Sequence, residues 1–165
     1  MAGCFDDVGE GQRHLIDHHS QLHRRLIDTL YVEAMLLADE ARAYFDEAAP
    51  TDRDLLEPLA RVTFSCESMK VTTRLMHVIA WILTQRAVMV GELRPGDALH
   101  PSRRLGESPE TDEVTLGLLP DSAKLLVVAS GDLHRRVARF DRTQAGPKLV
   151  DSPVKSLQAR LVGAF

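Results

Sequence analysis

Four histidines near the start of the chain have the spacing that is most typical of a metal site. They are His14, His18, His19 and His23. Within each of the two pairs, 14/18 and 19/23, the members are four residues apart, so each pair would share one face of a helix and could bind one ion. Apart from Asp17, no cysteine or well-placed carboxylate completes a tetrahedral site. Solvated polar residues at a helix start are the better interpretation, and we predict no metal and no cofactor.

Arg94 and His100 have a spacing that is also found in helical-bundle ribonucleases. Such an enzyme needs a helix that presents both side chains together. Here Pro95, Gly96 and Pro101 surround the two residues, and proline and glycine disfavour a continuous helix. We therefore assign this pair no catalytic role.

A second enzyme-like pattern consists of cationic residues in the first predicted helix, which loosely resembles helical chorismate mutases. The cations are Arg24, Arg25 and Arg42, and Lys70 and Arg74 could join them. A mutase needs several cationic groups that converge on a dicarboxylate in a dry pocket. Surface arginines are common on amphipathic helices, so a small helical enzyme of this type is only the alternative reading. The chain lacks GxGxxG, GxxxxGK[ST], HExxH and GxSxG motifs, which favours a protein without catalytic residues.

A basic stripe lies near the end of the third predicted helix, at Arg135, Arg136, Arg139 and Arg142. It has neither interleaved aromatic residues nor a turn-helix geometry, so it does not resemble a nucleic-acid contact. The net charge of -4 also gives no reason to expect nucleic acid as a partner. A solvated helix end is the simplest interpretation, and if the stripe binds anything, an acidic protein surface is favoured.

The composition indicates one helical domain. The chain has 165 residues, of which 44% are hydrophobic and only 5% aromatic, a balance that suits packed helices better than sheets. Cys4 and Cys66 match no zinc or redox spacing, and no signal peptide is evident, so we expect a cytoplasmic protein. The most apolar stretch, 71–83, is too short and too interrupted to cross a membrane.

Apolar periodicity predicts an all-α three-helix bundle at 21–142, with a flexible segment at 1–20 and a flexible tail at 143–165. The first helix runs from about Gln21, with a start as early as Gln12 allowed, and ends before Pro50. The third begins after Pro120. A long mobile loop at 92–119 connects helices 2 and 3, and the tail contains a short amphipathic helix.

The second predicted helix starts at a cap at Thr51 or Asp52 and ends at Gly91. One face of it carries a nearly unbroken apolar stripe with alternating spacings of four and three, typical of helices packed at a shallow angle. We call this stripe the 4-3 seam; its members are Leu55, Leu59, Val62, Cys66, Met69, Thr73, Met76, Ala80, Leu83, Ala87 and Val90.

The middle of this helix is apolar on its other faces too, at Val71, Leu75, Val78, Ile79, Trp81 and Ile82. A helix that is apolar nearly all round must be buried nearly all round. Either a second copy of the chain covers it, in a homodimer with two-fold symmetry, or the loop at 92–119 folds back over it. We expect the homodimer.

Two sets of residues are candidate partner-binding sites. The first lies on a helix face away from the 4-3 seam and comprises Lys70, Arg74, His77, Trp81, Gln85 and Arg86; tryptophan and arginine are enriched at the energetic centres of interfaces. The second is the tail stripe of Val154, Leu157 and Leu161, which we expect to contact a partner or a protease. A solvated helix face and plain disorder are the corresponding alternatives.

A family resemblance rests mainly on the second helix. The matching segments are ESMKVTTRLM at 67–76, WIL at 81–83, QRAV at 85–88 and Gly91-Glu92, together with AYFD at 43–46 and LHRRVARFD at 133–141. They resemble the RcdA family, the regulators of CtrA degradation, also catalogued as a domain of unknown function in alphaproteobacteria. The resemblance covers roughly 21–142.

The resemblance implies a three-helix bundle that dimerises and acts without enzymatic activity as an adaptor for the ClpXP protease. Such adaptors help to deliver a cell-cycle transcription regulator and other cargo, together with response-regulator-like and cyclic-di-GMP-binding adaptors. It also implies a cytoplasmic location, at the cell pole. No individual binding residue can be carried over. The sequence therefore predicts a protein that acts through contacts with other proteins and has neither nucleic acid nor membrane as a partner.

Overall fold

The computed structural model describes the backbone of residues 7–145 and the side chains of residues 20–145. Within this range all the regular structure is helical, as predicted, and there is no strand. The α-helices are α1 (Asp7–Ala43), α2 (Ala49–Asp54), α3 (Pro58–Met89), α4 (Pro95–Ala98), α5 (Glu113–Gly117) and α6 (Asp121–Ala145); a π-helical turn (Tyr44–Ala48) and a 3₁₀ turn (Pro101–Arg103) complete the list.

The three long helices form the predicted bundle, in which α3 packs against both α1 and α6. Each contributes aliphatic side chains to one continuous core. The most deeply buried are Ile27, Leu30 and Ala34 of α1, Val71, Leu75, Val78 and Ile82 of α3, and Leu126, Leu133 and Val137 of α6. With few aromatic residues in the chain, branched aliphatic side chains fill most of this interior.

The first helix is longer than predicted, because α1 begins at Asp7. At the other end of α1 the helical path continues past Pro50, through the π-helical turn and α2 to Asp54. Pro50 lies in the first turn of α2, where its missing N–H has no helical partner to lose. Tyr44 and Phe45 of the π-helical turn pack edge-on against Phe64 of α3, with ring centroids 6.5 and 5.9 Å away.

The second long helix is shorter than predicted, because α3 begins at Pro58 and not near Asp52. Glu57 is extended and precedes the proline, as expected for a residue that proline excludes from helical conformation. Arg61 then reaches back and donates to the Leu56 and Asp54 carbonyl oxygens at 2.8 and 3.0 Å. The predicted stop is correct, since Gly91 adopts a positive φ of 79°.

The connection at 92–119 is not structureless. It contains α4, the 3₁₀ turn and α5, and it crosses α3 on its way to α6. Two of its own side chains, Ala98 and Leu119, are buried. The connection therefore covers one face of α3.

The two apolar faces of α3 are exchanged relative to the prediction. Val71, Val78, Trp81 and Ile82, which we expected a second copy to cover, are buried within one protomer by α1, α6 and the connection. The 4-3 seam, which we expected to pack inside the bundle, is largely exposed. Periodicity identifies residues that share a face, but it does not say which neighbour covers that face.

Candidate partner-binding surfaces

The 4-3 seam is a long apolar surface on the outside of the protomer. Its large side chains are between 49% and 84% exposed: Leu55, Leu59, Val62, Met69, Met76, Leu83 and Val90. Cys66, also exposed, lies in the same stripe as a free thiol. From Leu59 to Leu83 the seam extends roughly 36 Å along α3 at 1.5 Å per residue. A contiguous apolar surface of this length is typical of an interaction site.

An apolar cleft borders the seam at Met76. It lies between α1 and α3, has a volume of about 370 Å³, and is lined mainly by Ala38, Ala41, Phe45, Leu75, Met76 and Ile79. Small alanines on α1 leave room beside the larger residues of α3. A protruding apolar side chain of another molecule could enter this space, as a knob enters a hole between helices.

The predicted partner face around Trp81 needs correction. Arg74, Trp81 and Gln85 are only 3%, 2% and 5% exposed, so three of its six residues are unavailable to a partner. The reason is that α6 and the connection pack over this face of α3. Lys70 and His77 are only partly exposed.

Arg86 is the most open member of that face. Its guanidinium lies 4.5 Å from the centroid of the Tyr31 ring and 3.6 Å from the Asp28 carboxylate, both on α1. Gln85, by contrast, accepts a hydrogen bond from Gln144 of α6. These contacts join the three long helices to each other.

Trp81 has a structural partner that the sequence analysis missed, Asp141. The Trp81 indole N–H donates to Asp141 Oδ1 at 2.9 Å, and Arg104 donates to both carboxylate oxygens at 2.7 Å. Burial alone would raise the pKa of Asp141, but the hydrogen bonds from Arg104 and Trp81 outweigh it and lower the pKa. The one available signal was an aspartate four residues after Val137 on the apolar face of α6.

Arg74 fixes the next part of the connection. Its Nε donates to Ser108 Oγ at 2.8 Å, and its Nη2 donates to the Pro109 carbonyl oxygen at 2.7 Å. Thr111 then donates to Glu67 Oε2 at 2.6 Å, and Lys70 pairs with the other oxygen of that carboxylate. Burial lowers the pKa of Arg74, and the negative charge of Glu67 opposes this shift.

His77 lies under the same connection. An added Cβ on Gly106 would come within 2.5 Å of the His77 ring, so only glycine fits here without a shift. The Gly106 carbonyl oxygen is 2.8 Å from His134 Nε2 of α6. Buried His77 Nδ1 has no hydrogen-bond partner. The imidazole therefore serves as a packing surface for the connection.

A small cavity of about 230 Å³ adjoins Arg74, and it is the feature closest to an enzyme pocket. Arg135, His134 and Glu110 also line it. However, Arg74 already donates to oxygens of the connection, Arg135 pairs with Asp132, and His134 contacts Gly106. The three cationic or imidazole groups are thus already bonded within the protein, so the mutase interpretation is not favoured.

In the other enzyme-like patterns, the residues are far apart or are bonded to close neighbours in the chain. Arg24 and Arg42 are separated by roughly 27 Å along α1 at 1.5 Å per residue. Arg94 pairs with Asp97, while His100 contacts Ser102 in the 3₁₀ turn.

Several predictions fall outside the described side chains. These concern the metal-like pairs at His14, His18 and His19, and the tail residues Val154, Leu157 and Leu161. Among the described residues no group of three or more histidine, cysteine or carboxylate side chains could hold a metal ion. In the same part of the chain no helix is both long and apolar enough to cross a membrane.

Comparisons with known proteins agree with the resemblance. The model of the family described as protein of unknown function (DUF1465) matches residues 18–165. The crystal structure of RcdA from Caulobacter crescentus CB15 is similar with a TM-score of 0.61 and 35% sequence identity, covering 74% of this chain and 93% of that chain. No curated protein matches significantly. The predicted family and the all-helical fold are thus confirmed, and the chain belongs to the DUF1465 family, of the RcdA type.

Proposed function

We propose that the chain is a non-enzymatic adaptor that helps to deliver regulatory substrates, of the cell-cycle transcription regulator type, to an AAA+ protease. The observation that carries this proposal is the exposed 4-3 seam, a long apolar surface on a helix whose opposite face is buried in the core of the protomer. The similarity to RcdA supports it. Its partners would be the ClpXP unfoldase complex, protein cargo, and response-regulator-like or cyclic-di-GMP-binding adaptors, all in the cytoplasm.

The proposal includes a homodimer built on the 4-3 seam. Burying an exposed aliphatic side chain contributes roughly 1.5–3 kcal/mol, while association costs about 4–15 kcal/mol. Three or four seam residues from each protomer, such as Val62, Met69 and Met76, would therefore be enough. A two-fold axis crossing α3 would place each seam on its copy and bring apolar side chains to the cleft beside Met76.

An adaptor needs surfaces that bind different molecules at once. In a seam-to-seam dimer, the outer surfaces of α1 and α6 stay accessible in both protomers. Two copies would then present each surface twice, and tethering cargo near the protease raises its local concentration so that weak contacts suffice.

A two-step experiment tests the adaptor. The full chain and a variant truncated after Ala145 are immobilised and exposed to lysate of the source cells, and bound proteins are identified by mass spectrometry. We expect the unfoldase and regulatory proteins on the full chain. Any recovered regulator is then incubated with purified ClpXP, and its degradation should be faster when the full chain is added.

Recovery of metabolic enzymes or DNA alone, or a degradation rate that the chain leaves unchanged, would contradict the adaptor. The truncated variant keeps every described helix. A loss confined to it would assign protease or partner contact to residues 146–165, including Val154, Leu157 and Leu161.

A further inference from the structure

An open groove runs between α1 and α6, and it shares no residue with the 4-3 seam. Its volume is about 890 Å³. The apolar floor consists of Leu36, Leu37 and Ala129, of which Leu36 is 65% exposed. The part of α6 that lines it, 129–142, is roughly 20 Å long at 1.5 Å per residue. That length fits a helix of three to four turns.

The two walls of the groove carry opposite charges. On the α6 wall, Arg135 pairs with Asp132, and Arg136 pairs with Glu33 across the groove. The arginines of this wall are the basic stripe singled out in the sequence. The Arg136–Glu33 pair joins the two walls, while the Arg135–Asp132 pair lies within α6.

Two further arginines of the wall, Arg139 and Arg142, have no acidic partner among the described side chains. They are exposed and one turn apart at one end of the groove. Glu40 likewise has no cationic partner in that part of the chain, and it lies toward the opposite end, since α1 and α6 run antiparallel with Glu33 opposite Arg136. The unpaired charges are thus positive at one end and negative at the other.

We propose that this groove binds an amphipathic helix of a partner protein, whose first turn is acidic and whose last turn is basic. Helices commonly carry this arrangement, because it complements their own dipole. The bound helix would run antiparallel to α6, with its acidic turn at Arg139 and Arg142, its basic turn at Glu40, and its apolar face on Leu36. It would complete a four-helix arrangement with α1, α3 and α6.

The carboxylates of the groove disfavour nucleic acid as the occupant. Glu33, Glu40 and Asp132 lie between or beside the arginines, and each would repel a phosphate backbone. An apolar floor between opposite charges instead matches the recognition of an amphipathic helix in a groove. The inference rests on the proposed function only for the role of this partner, not for the binding itself.

Two synthetic probes test the proposal. The first is a labelled amphipathic peptide of about sixteen residues, with leucines at helical spacing, glutamates in its first turn and lysines in its last turn. The second peptide has the same composition, but its two charged turns are exchanged. Binding to the full chain is followed by fluorescence anisotropy. We expect the glutamate-first peptide to bind at least about tenfold more tightly than the exchanged one, which corresponds to about 1.4 kcal/mol.

Charge reversal supplies the decisive comparison. R139E/R142E should weaken binding of the glutamate-first peptide about tenfold and improve binding of the exchanged peptide. R53E/R103E changes the net charge equally at two exposed arginines that do not line the groove, and it should bind like the parent chain. Circular dichroism of each variant verifies that the helices are retained.

Three results would overturn the proposal: no saturable binding of either peptide, equal binding of both, or equal weakening by the two double variants. Binding seen only after truncation at Ala145 would also overturn it, since the groove would then belong to residues 146–165 of the chain itself. Failure of the proposed function is distinguishable, because peptide binding requires neither the protease nor the 4-3 seam.

Discussion

Asp141 shows how one side chain ties distant parts of this protein together. It accepts hydrogen bonds from Trp81 of α3 and from Arg104 of the connection, while it is itself part of α6. A buried carboxylate is costly unless it is paired and hydrogen-bonded, and here both conditions are met. Trp81, which sequence reasoning assigned to an interface, thus has its polar atom satisfied inside the protomer.

D141N should destabilise the protein, because the charged acceptor of Arg104 is lost while the shape is kept. Hydrogen bonds to charged groups contribute about 1.5–3 kcal/mol, so we expect a decrease of this order in the free energy of unfolding at pH 7, measured by urea denaturation.

The difference in the free energy of unfolding between the parent chain and D141N should become smaller as the pH falls. The pKa of Asp141 is lowered in the folded state, so its contribution is present above the unfolded value of about 3.9 and is lost as the pH falls through the folded pKa. The stability gap between parent and D141N should therefore narrow below about pH 4. D132N is the control, at an exposed aspartate–arginine pair within α6. A stability difference that stays constant down to roughly pH 2–3 would argue against the carboxylate pair.

At the scale of elements, sequence patterns were good at finding helices and poor at assigning their neighbours. The apolar period located the long helices, and Gly91 marked the end of α3 correctly. The start of α3 was misplaced because Pro58 also fits a position slightly inside a helix, and the sequence did not show that the chain breaks its helical path at 55–57, where Glu57 is extended. The prediction assigned the buried and the exposed face of α3 the wrong way round. The sequence of the connection, rich in proline and glycine, did not indicate that Ser108 and Thr111 bind Arg74 and Glu67.

R74M tests whether Arg74 holds the connection in place. Methionine keeps much of the apolar stem but donates to neither Ser108 nor the Pro109 carbonyl. Removing one partner of a buried ion pair lowers the free energy of unfolding by about 3–5 kcal/mol, which is the upper bound for this substitution. We expect faster amide hydrogen exchange, measured by mass spectrometry, confined to 104–116 and the facing part of α3.

R94M is the control for that experiment, because Arg94 is exposed and pairs only with nearby Asp97. Its exchange pattern should match that of the parent chain. Equal protection of 104–116 in R74M and the parent would show that packing alone retains the connection.

At the scale of the whole molecule, the division of α3 into a covered and an uncovered half organises the proposed function. The covered half joins α1, α6 and the connection into one body. The uncovered half, the 4-3 seam, remains available for contacts with other chains. Composition and periodicity predicted that α3 has more apolar surface than two neighbouring helices can cover, but not which half is left over.

M69D/M76D should abolish the homodimer. Two charges in the middle of the 4-3 seam would have to be desolvated without partners on association. In analytical ultracentrifugation we expect the parent chain to sediment as a dimer and the variant as a monomer with unchanged helical content. V114D/L125D, at two equally exposed apolar residues outside the seam, should remain dimeric. A parent chain that is monomeric throughout the concentration series would refute the dimer.

The fixed connection has a consequence for a protein that works beside a protease. Proteolysis concentrates at exposed loops and chain termini, and a proline-rich connection between two helices would ordinarily be such a loop. Here Arg104 fastens it to Asp141, while Ser108 and Thr111 fasten it to Arg74 and Glu67, leaving only short spans between attachment points. Under the proposed function, these bonds would help the adaptor to escape the fate of the cargo that it delivers.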